Sequence, residues 1–436
     1  MACEQVTLQD VCELIVDCPH TSAKDEGVGY PLIRTPNVGR GRLILTDVHR
    51  VSQDVYERRV SRAVPRQGDL ILAREAPAGN VAIVSPGIEV CLGQRTMLLR
   101  PDSSFVVPEY LNYYLNAPEQ RDRMLRLANG ATVSHINVAD IRNMPVQLPS
   151  CGEQSKVAEL LNVLDDKIDL NNRLNDYLFE LVSSVFAHRF SDNVNTTELK
   201  NVLSISTKAL KPQEHADEIW EHYSIPAFDE KHRPIFEPAS GIKSNKYQID
   251  SECILISKLN PSTKRIWMPC CSSNNAVCST EFIVYRPYLK EYKSFYYAAI
   301  DSPRFTDYLL EHVSGSTGSR QRAQPKDTLN YLMPNPDNEE IKDFCTFADP
   351  IYRHIQINEQ QTAKLELLRE TLLPKLMSGA IDVSKVDLTQ LTNNHLSGCG
   401  SFCSVCYPSG LASEFHEWFR EHSFFGYGHL CKADLG

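Results

Sequence analysis

Apolar residues recur at alternating three- and four-residue spacing in two long stretches of the chain. The first holds Val157, Leu161, Leu164, Ile168, Asn171, Leu174, Leu178, Leu181 and Val185, and the second Phe344, Ala348, Ile351, Ile355, Asn358, Leu365, Leu368 and Leu372. This is the seam pattern of a coiled coil, so each stretch is expected to be a long helix. Adding 187 to most positions of the first set gives the second, and Asn171 falls on Asn358. A polar residue inside such a seam fixes register and partner rather than adding stability, which points to pairing of the two helices with each other. Pro149 precedes the first stretch, Pro334 and Pro336 precede the second, and Pro374 lies near its end, which sets the boundaries. Helices of about 30 residues would each be on the order of 50 Å long.

The segments before the helices repeat as well. Leu8-Gln9-Asp10-Val11 answers Leu199-Lys200-Asn201-Val202, and the β-type run Leu70-Ile71-Leu72-Ala73-Arg74 answers Ile254-Leu255-Ile256-Ser257-Lys258. Met97-Leu98-Leu99-Arg100-Pro101 answers Ile283-Val284-Tyr285-Arg286-Pro287, and Leu115-Asn116-Ala117-Pro118 answers Ile300-Asp301-Ser302-Pro303. Each head ends on a Gly/Ser/Thr-rich turn followed by Met144-Pro145 or Met333-Pro334. The expected fold class is therefore α+β: two heads of short strands, long loops and one helix each (about 110 to 127 and 295 to 313), with two long helices forming an antiparallel coiled coil and an internal pseudo-twofold repeat. The expected divisions are residues 1–150, 151–190, 191–338, 339–383, and a Cys-rich tail over 384–436 that the repeat does not reach.

Composition adds little until it is read locally. No stretch has the apolar length of a membrane span, and the start of the chain lacks a basic, then apolar, leader, so a cytoplasmic location is expected. The 14 cysteines are scattered mostly singly, as reduced thiols would be. A net charge of −10 argues against a sequence-blind DNA binder. Nearly every basic residue among the first 150 is Arg, which suits planar, bidentate recognition.

Catalytic machinery is missing from the motifs. The turn at 314–319 lacks the Gly-Lys-Ser/Thr of a phosphate loop, and no Asp/Asn-Pro-Pro-aromatic tetrapeptide of adenine methyltransferases occurs. Glu340-Ile341-Lys342 has the look of a nuclease fragment but opens the second helix, where acidic residues favour the helix start. What the heads do carry is groove-reading chemistry: Arg and Lys for guanine, Asn and Gln for adenine, Ser, Thr and Lys for phosphate. The candidates in the first head are Arg34, Asn37, Arg40, Arg42, Arg74, Gln94, Arg95, Thr132, Ser134 and His135. In the second they are Lys243, Asn245, Lys258, Asn260, Lys264, Arg265, Ser319, Arg320, Gln321 and Arg322. Tyr113-Tyr114 and Tyr296-Tyr297 are better placed for core packing than for base stacking. In the tail, Cys399, Cys403, Cys406 and Cys431 are weak zinc candidates, because their spacing is not that of paired knuckles.

The order head, helix, head, helix resembles the specificity subunit of Type I restriction-modification systems over residues 1 to about 383. The pieces that carry the resemblance are Val11 to His20 with Tyr30-Pro31-Leu32-Ile33-Arg34, Asn260-Pro261 with Lys264-Arg265-Ile266-Trp267, Leu164-Asp165-Asp166-Lys167-Ile168-Asp169-Leu170-Asn171-Asn172, and Leu372-Leu373-Pro374-Lys375-Leu376-Met377-Ser378-Gly379. The resemblance implies a subunit without catalysis of its own that reads one half of a bipartite duplex DNA target with each head. It implies modification subunits docked on the helical regions, two per chain, supplying S-adenosylmethionine-dependent adenine methylation, and restriction subunits supplying ATP- and Mg-dependent translocation and cleavage. Helices on the order of 50 Å would leave more than one duplex turn, roughly 34 Å, unread between the halves. Two other readings stand beside it: a coiled-coil scaffold whose heads bind proteins, and an enzyme built on the Cys/His tail.

Overall fold

The structure, a computed structural model, describes residues 4–75, 77–128, 135–314 and 321–383. The described residues form two compact units, one made of 4–165 together with 368–383, the other of 166–367. The Cys-rich tail, with Cys399, Cys403, Cys406 and Cys431, lies outside the described residues, as do Thr132, Ser134, Ser319 and Arg320.

In the first unit the apolar run Leu70–Ala73 is the middle strand of a five-stranded sheet. Its order is Cys12–Asp17, Thr96–Pro101, Leu70–Ala73, Val81–Ile83, Gly41–Arg42. Successive side chains of a strand point to opposite faces. Leu70, Leu72, Met97 and Leu99 therefore join a core with Leu8, Val11, Tyr110 and Leu111. Ile71, Ala73 and Leu98 join a second core with Ile33, Val38 and Ala82. Both faces are covered, which is why these strands read as unbroken apolar runs. The first core also takes Val157, Ala158 and Leu161 from a long helix, and Leu376 and Val383 from the far end of the described chain.

The second unit repeats the design with other side chains. Ile254–Ser257 lies between Phe282–Pro287 and Ile266–Trp267, with Leu203–Ser206 at the edge. Thr96–Pro101 and Phe282–Pro287 show the same burial at all six positions. In each, the penultimate arginine is held by a carboxylate: Arg100 by Asp69 at 2.7 Å, and Arg286 by Asp250 at 2.8 Å. Each unit also pairs its first strand antiparallel to its last, Glu4–Thr7 with Pro145–Leu148 and Thr196–Glu198 with Leu332–Pro334. Tyr113, Tyr114, Tyr296 and Tyr297 are all buried in these cores.

Two expectations need correcting. The single helix expected over about 110 to 127 and 295 to 313 is two in each head, Pro108–Asn116 then Pro118–Leu127, and Lys293–Asp301 then Pro303–Glu311, and shorter helices such as Gln53–Arg59 and Ile225–Lys231 add to the expected set. Proline bars the residue before it from helical geometry, and Ala117 and Ser302 are extended, at ψ 144° and 149°. The long helices, Cys151–Phe190 and Asn338–Met377, have 40 residues each, not about 30. They start immediately after matching caps. Glu153 N donates to Ser150 Oγ while the Glu153 carboxylate accepts from Ser150 N, and Glu340 N and Asp337 do the same with each other. Glu340 is thus part of a helix cap.

Within the second unit the two long helices run antiparallel. Asn171 Nδ2 donates to Gln361 Oε1 at 3.0 Å and Thr362 Oγ1 at 3.3 Å, and Asn358 Nδ2 donates to Asn175 Oδ1 at 2.8 Å. Adding 187 to 171 and 175 gives 358 and 362, so the two contacts are one contact made from either helix. Ile168, Asn171, Ile355 and Asn358 are buried, and Leu178, Ile351 and Leu365 are half-buried. In the first unit Leu164 is buried, and Asp165 accepts from Tyr113 Oη at 2.7 Å and from Arg369 Nη1 at 2.6 Å. The same offset turns Asp165 into Tyr352 and Arg369 into Val182, both buried, so the second copy fills these places with apolar bulk.

Candidate nucleic-acid interface

In each head the backbone leaving the middle strand is stitched between the turn before the neighbouring strand and the residues after a polar segment. In the first, Arg74 N donates to Arg95 O at 2.8 Å, and Ile136 N donates to Arg74 O at 3.0 Å. In the second, Lys258 N donates to Glu281 O at 3.0 Å, and Ala323 N donates to Lys258 O at 2.9 Å. The polar segments are those before Met144-Pro145 and Met333-Pro334. The structure therefore ties a residue that follows each Gly/Ser/Thr-rich segment, Ile136 or Ala323, to the residue just past the corresponding strand in both heads.

This stitching gathers part of the candidate set in the first head. Arg74, Gln94, Arg95 and His135 come together, and Arg34 lies alongside, since a Cβ on Gly93 would meet its Cγ at 2.9 Å. Gly93 is needed there for that close approach. Gln94 Nε2 donates to His20 O at 3.0 Å. Arg74 itself is tied into the fold, with Nη1 on Asp17 Oδ1 at 2.7 Å and Nε on Ile136 O at 2.9 Å, so it holds the loop's end. Asp17 also faces His20 Nε2 at 3.3 Å. Asn37 is buried, accepting from Arg34 N and donating to Ile44 O, and its amide closes a turn. Arg40 is exposed on that turn, and Arg42 follows in the strand Gly41–Arg42.

In the second head, Lys258, Asn260, Gln321 and Arg322 come together, with Asn260 N donating to Gln321 O at 3.0 Å. Arg95 in one head and Asn260 in the other adopt left-handed backbone, φ 66° and 47°. That conformation is costly outside glycine, less so for Asn, and tends to gather at functional sites. Lys243 and Asn245 are exposed before the strand Lys246–Gln248, away from this stitched group in the hydrogen bonding. Lys264 and Arg265 hold the fold together: Lys264 Nζ binds Asp301 at 2.7 Å, and Arg265 grips Asp229 with two bonds at 2.6 and 2.9 Å. The acidic members Asp17, Glu75 and Glu281 escaped the sequence reading, which looked for donors alone.

Among the described residues no group of His, Cys, Asp and Glu has the geometry of a metal site, and the nine cysteines are free thiols. Several of these thiols are pushed up by burial, Cys12 to about 12 and Cys91 and Cys345 to about 11, which makes them poor nucleophiles. No described helix is long and apolar enough to cross a membrane.

Two heads of one design, each continuing into a long helix, with a polar segment of different sequence before each helix, define a duplicated two-head subunit. Residues 2–178 match the family model described as Type I restriction modification DNA specificity domain. The chain is 21% identical over 373 residues to the Type I restriction enzyme MjaIX specificity subunit of Methanocaldococcus jannaschii, covering 78% of this chain and 84% of that one. It is 25% identical over 189 residues to the EcoBI specificity subunit of Escherichia coli, covering 42% of this chain and 39% of that one. Its fold is similar to the crystal structure of a Type I restriction-modification S subunit from M. genitalium, with a TM-score of 0.55 at 16% identity, over 86% of this chain and 96% of that one. The chain is thus similar to Type I restriction-modification specificity subunits, with the DNA specificity domain matched over residues 2–178.

Proposed function

We propose that this subunit reads a bipartite duplex DNA target, one half with each head, and directs partner subunits that carry out the chemistry. The observation that carries the reading is the shared stitching: the same pair of backbone hydrogen bonds recurs in both heads, while the polar segments that precede Ile136 and Ala323 differ in sequence, as two readers of unlike half-sites require. The relatives are named as specificity subunits of restriction enzymes, which supports this reading; in it, methylation with S-adenosylmethionine and cleavage with ATP and Mg fall to modification and restriction subunits. This chain contributes contacts, positioned by its sheets, and no catalytic group.

The test is binding by the full chain with its modification subunits. A duplex carrying the sequence methylated in the host genome should be shifted in a salt-dependent way. Replacing Gln321 and Arg322 with Ala should weaken discrimination in one half of that sequence by about tenfold and leave the other half unchanged. Equal damage to both halves would overturn the division of labour between heads. No binding to any duplex would favour the scaffold reading.

A further inference from the structure

Beside the stitched strand end of each head an exposed guanidinium is held by a carboxylate through Nε, and in the second head Arg322 Nη2 also donates to Glu281 Oε1 at 3.4 Å. Arg95 Nε lies 2.8 Å from Glu75 Oε2, with the two side chains 57% and 21% exposed. Arg322 Nε lies 3.1 Å from Glu281 Oε2, with exposures of 49% and 31%. These pairs are not copies of one ancestral pair. Arg95 and Glu281 occupy the same place in the repeat, because each carbonyl accepts from the residue that ends the middle strand, Arg74 or Lys258. The sign at that place is opposite in the two heads, and the partner is opposite with it. Ion pairs this exposed contribute little to folding, so stability does not account for finding one at the reading loop of both heads.

A guanidinium held along its Nε edge has that edge fixed, and the opposite, end-on edge of its two terminal nitrogens is the planar fork that matches guanine O6 and N7 when DNA displaces its other partners. Both arginines stand on anchored backbone. Arg95 N donates to Cys18 Sγ and its carbonyl accepts from Arg74 N, while Arg322 pairs with Ser314 and bridges to Leu259. A side chain so restrained loses little freedom on binding. Resting on the DNA-reading function above, we propose that Arg95 and Arg322 each read a guanine, one in each half-site, and that Glu75 and Glu281 are the positioning residues that set their forks. A carboxylate in this role also disfavours any site that offers the fork only phosphate or a thymine methyl, since the charge has to approach DNA with its partner.

The test uses the full chain with its modification subunits, selecting from duplexes randomised over both half-sites. Arg95→Ala should relax the preference for one G·C pair in one half by about tenfold, and Arg322→Ala should do the same in the other half. Glu75→Gln should relax the same pair as Arg95→Ala by about threefold to tenfold and add nothing in the Arg95→Ala background. Glu281→Gln should behave in the same way toward Arg322. The positioning role is overturned if Glu75→Gln tightens all sequences alike, which is loss of charge screening alone, or if it removes a preference for cytosine elsewhere. The arginine assignment is overturned if Arg95→Ala leaves every G·C position as selective as before. A wild-type complex that selects no sequence at all would instead overturn the function on which this rests.

Discussion

Glu359 shows how far burial can move a single carboxyl in this fold. It lines a cleft with room for about 20 Å³, beside Phe179, Trp267, Tyr297, Tyr352 and His232. Loss of hydration is the main cause that raises its pKa to about 7, with Arg233 pulling in the opposite direction. His232 Nδ1 stands 3.8 Å from the carboxylate, and burial lowers that imidazole to about 4, so at neutral pH it offers no charge. Lys231 and Arg233 are both engaged by Glu366. Between the ordinary carboxylate range and pH 7 the folded protein holds a proton that the unfolded chain has lost. Stability from this group is therefore full at low pH, declines as pH rises toward 7, and levels off above it. Glu359→Gln should stabilise the second unit at pH 8.5 by about 1–2 kcal/mol relative to its effect at about pH 4, where both states mostly hold the proton, measured by calorimetric melting. A gain of equal size at both values would remove ionisation as the cause. None of this was legible in the sequence, where Glu359 reads as one more solvated helix residue; His232 and Trp267, which give it its surroundings, are 127 and 92 residues away.

At the level of the helices, periodicity carried more of the information. The three-four spacing runs through Leu164, Ile168, Asn171, Ile355 and Asn358, all buried. It passes over Asn175 and selects Leu174, which is only half-buried. A straight α-helix drifts by about 20° per heptad against an ideal seam, and that drift carries position 175 into the interface. The polar step is consequently two linked contacts where spacing marks one. Asn175→Leu leaves the buried Asn358 amide without its acceptor and should cost about 1–3 kcal/mol in urea unfolding. Adding Asn358→Leu should recover most of that loss, because a matched apolar pair leaves no orphaned amide. A single variant as stable as wild type would mean that the bond at 2.8 Å does not contribute. The breaks at Pro118 and Pro303 were also visible as residues, but two short helices on one buried face have the same apolar pattern as a single longer one.

For the whole molecule, duplication was the most legible property, and the carboxylates that work on the candidate arginines were the least. Repeats survive as ordered matches along the chain. Ion pairs such as Arg74 with Asp17 join residues 57 apart through sheet topology, which no local pattern records. The same topology gives the first unit a discontinuous make-up, since its core includes Leu376 and Val383 beside Leu8 and Leu161. A chain ending after Leu367 should lose hydrogen-exchange protection throughout residues 4–165 while keeping it over much of 166–367, and a chain ending after Val383 should keep both. Intact protection of the first unit in the shorter chain would show that residues 368–383 are dispensable to it.

That make-up also sets an order of completion during synthesis. The second unit has all its residues once position 367 has emerged from the ribosome, whereas the first, although begun earlier, lacks part of its core until residues 368–383 follow. Most of the head that is translated first is therefore finished last, and a prematurely released chain would present a complete second reader beside an unfinished first.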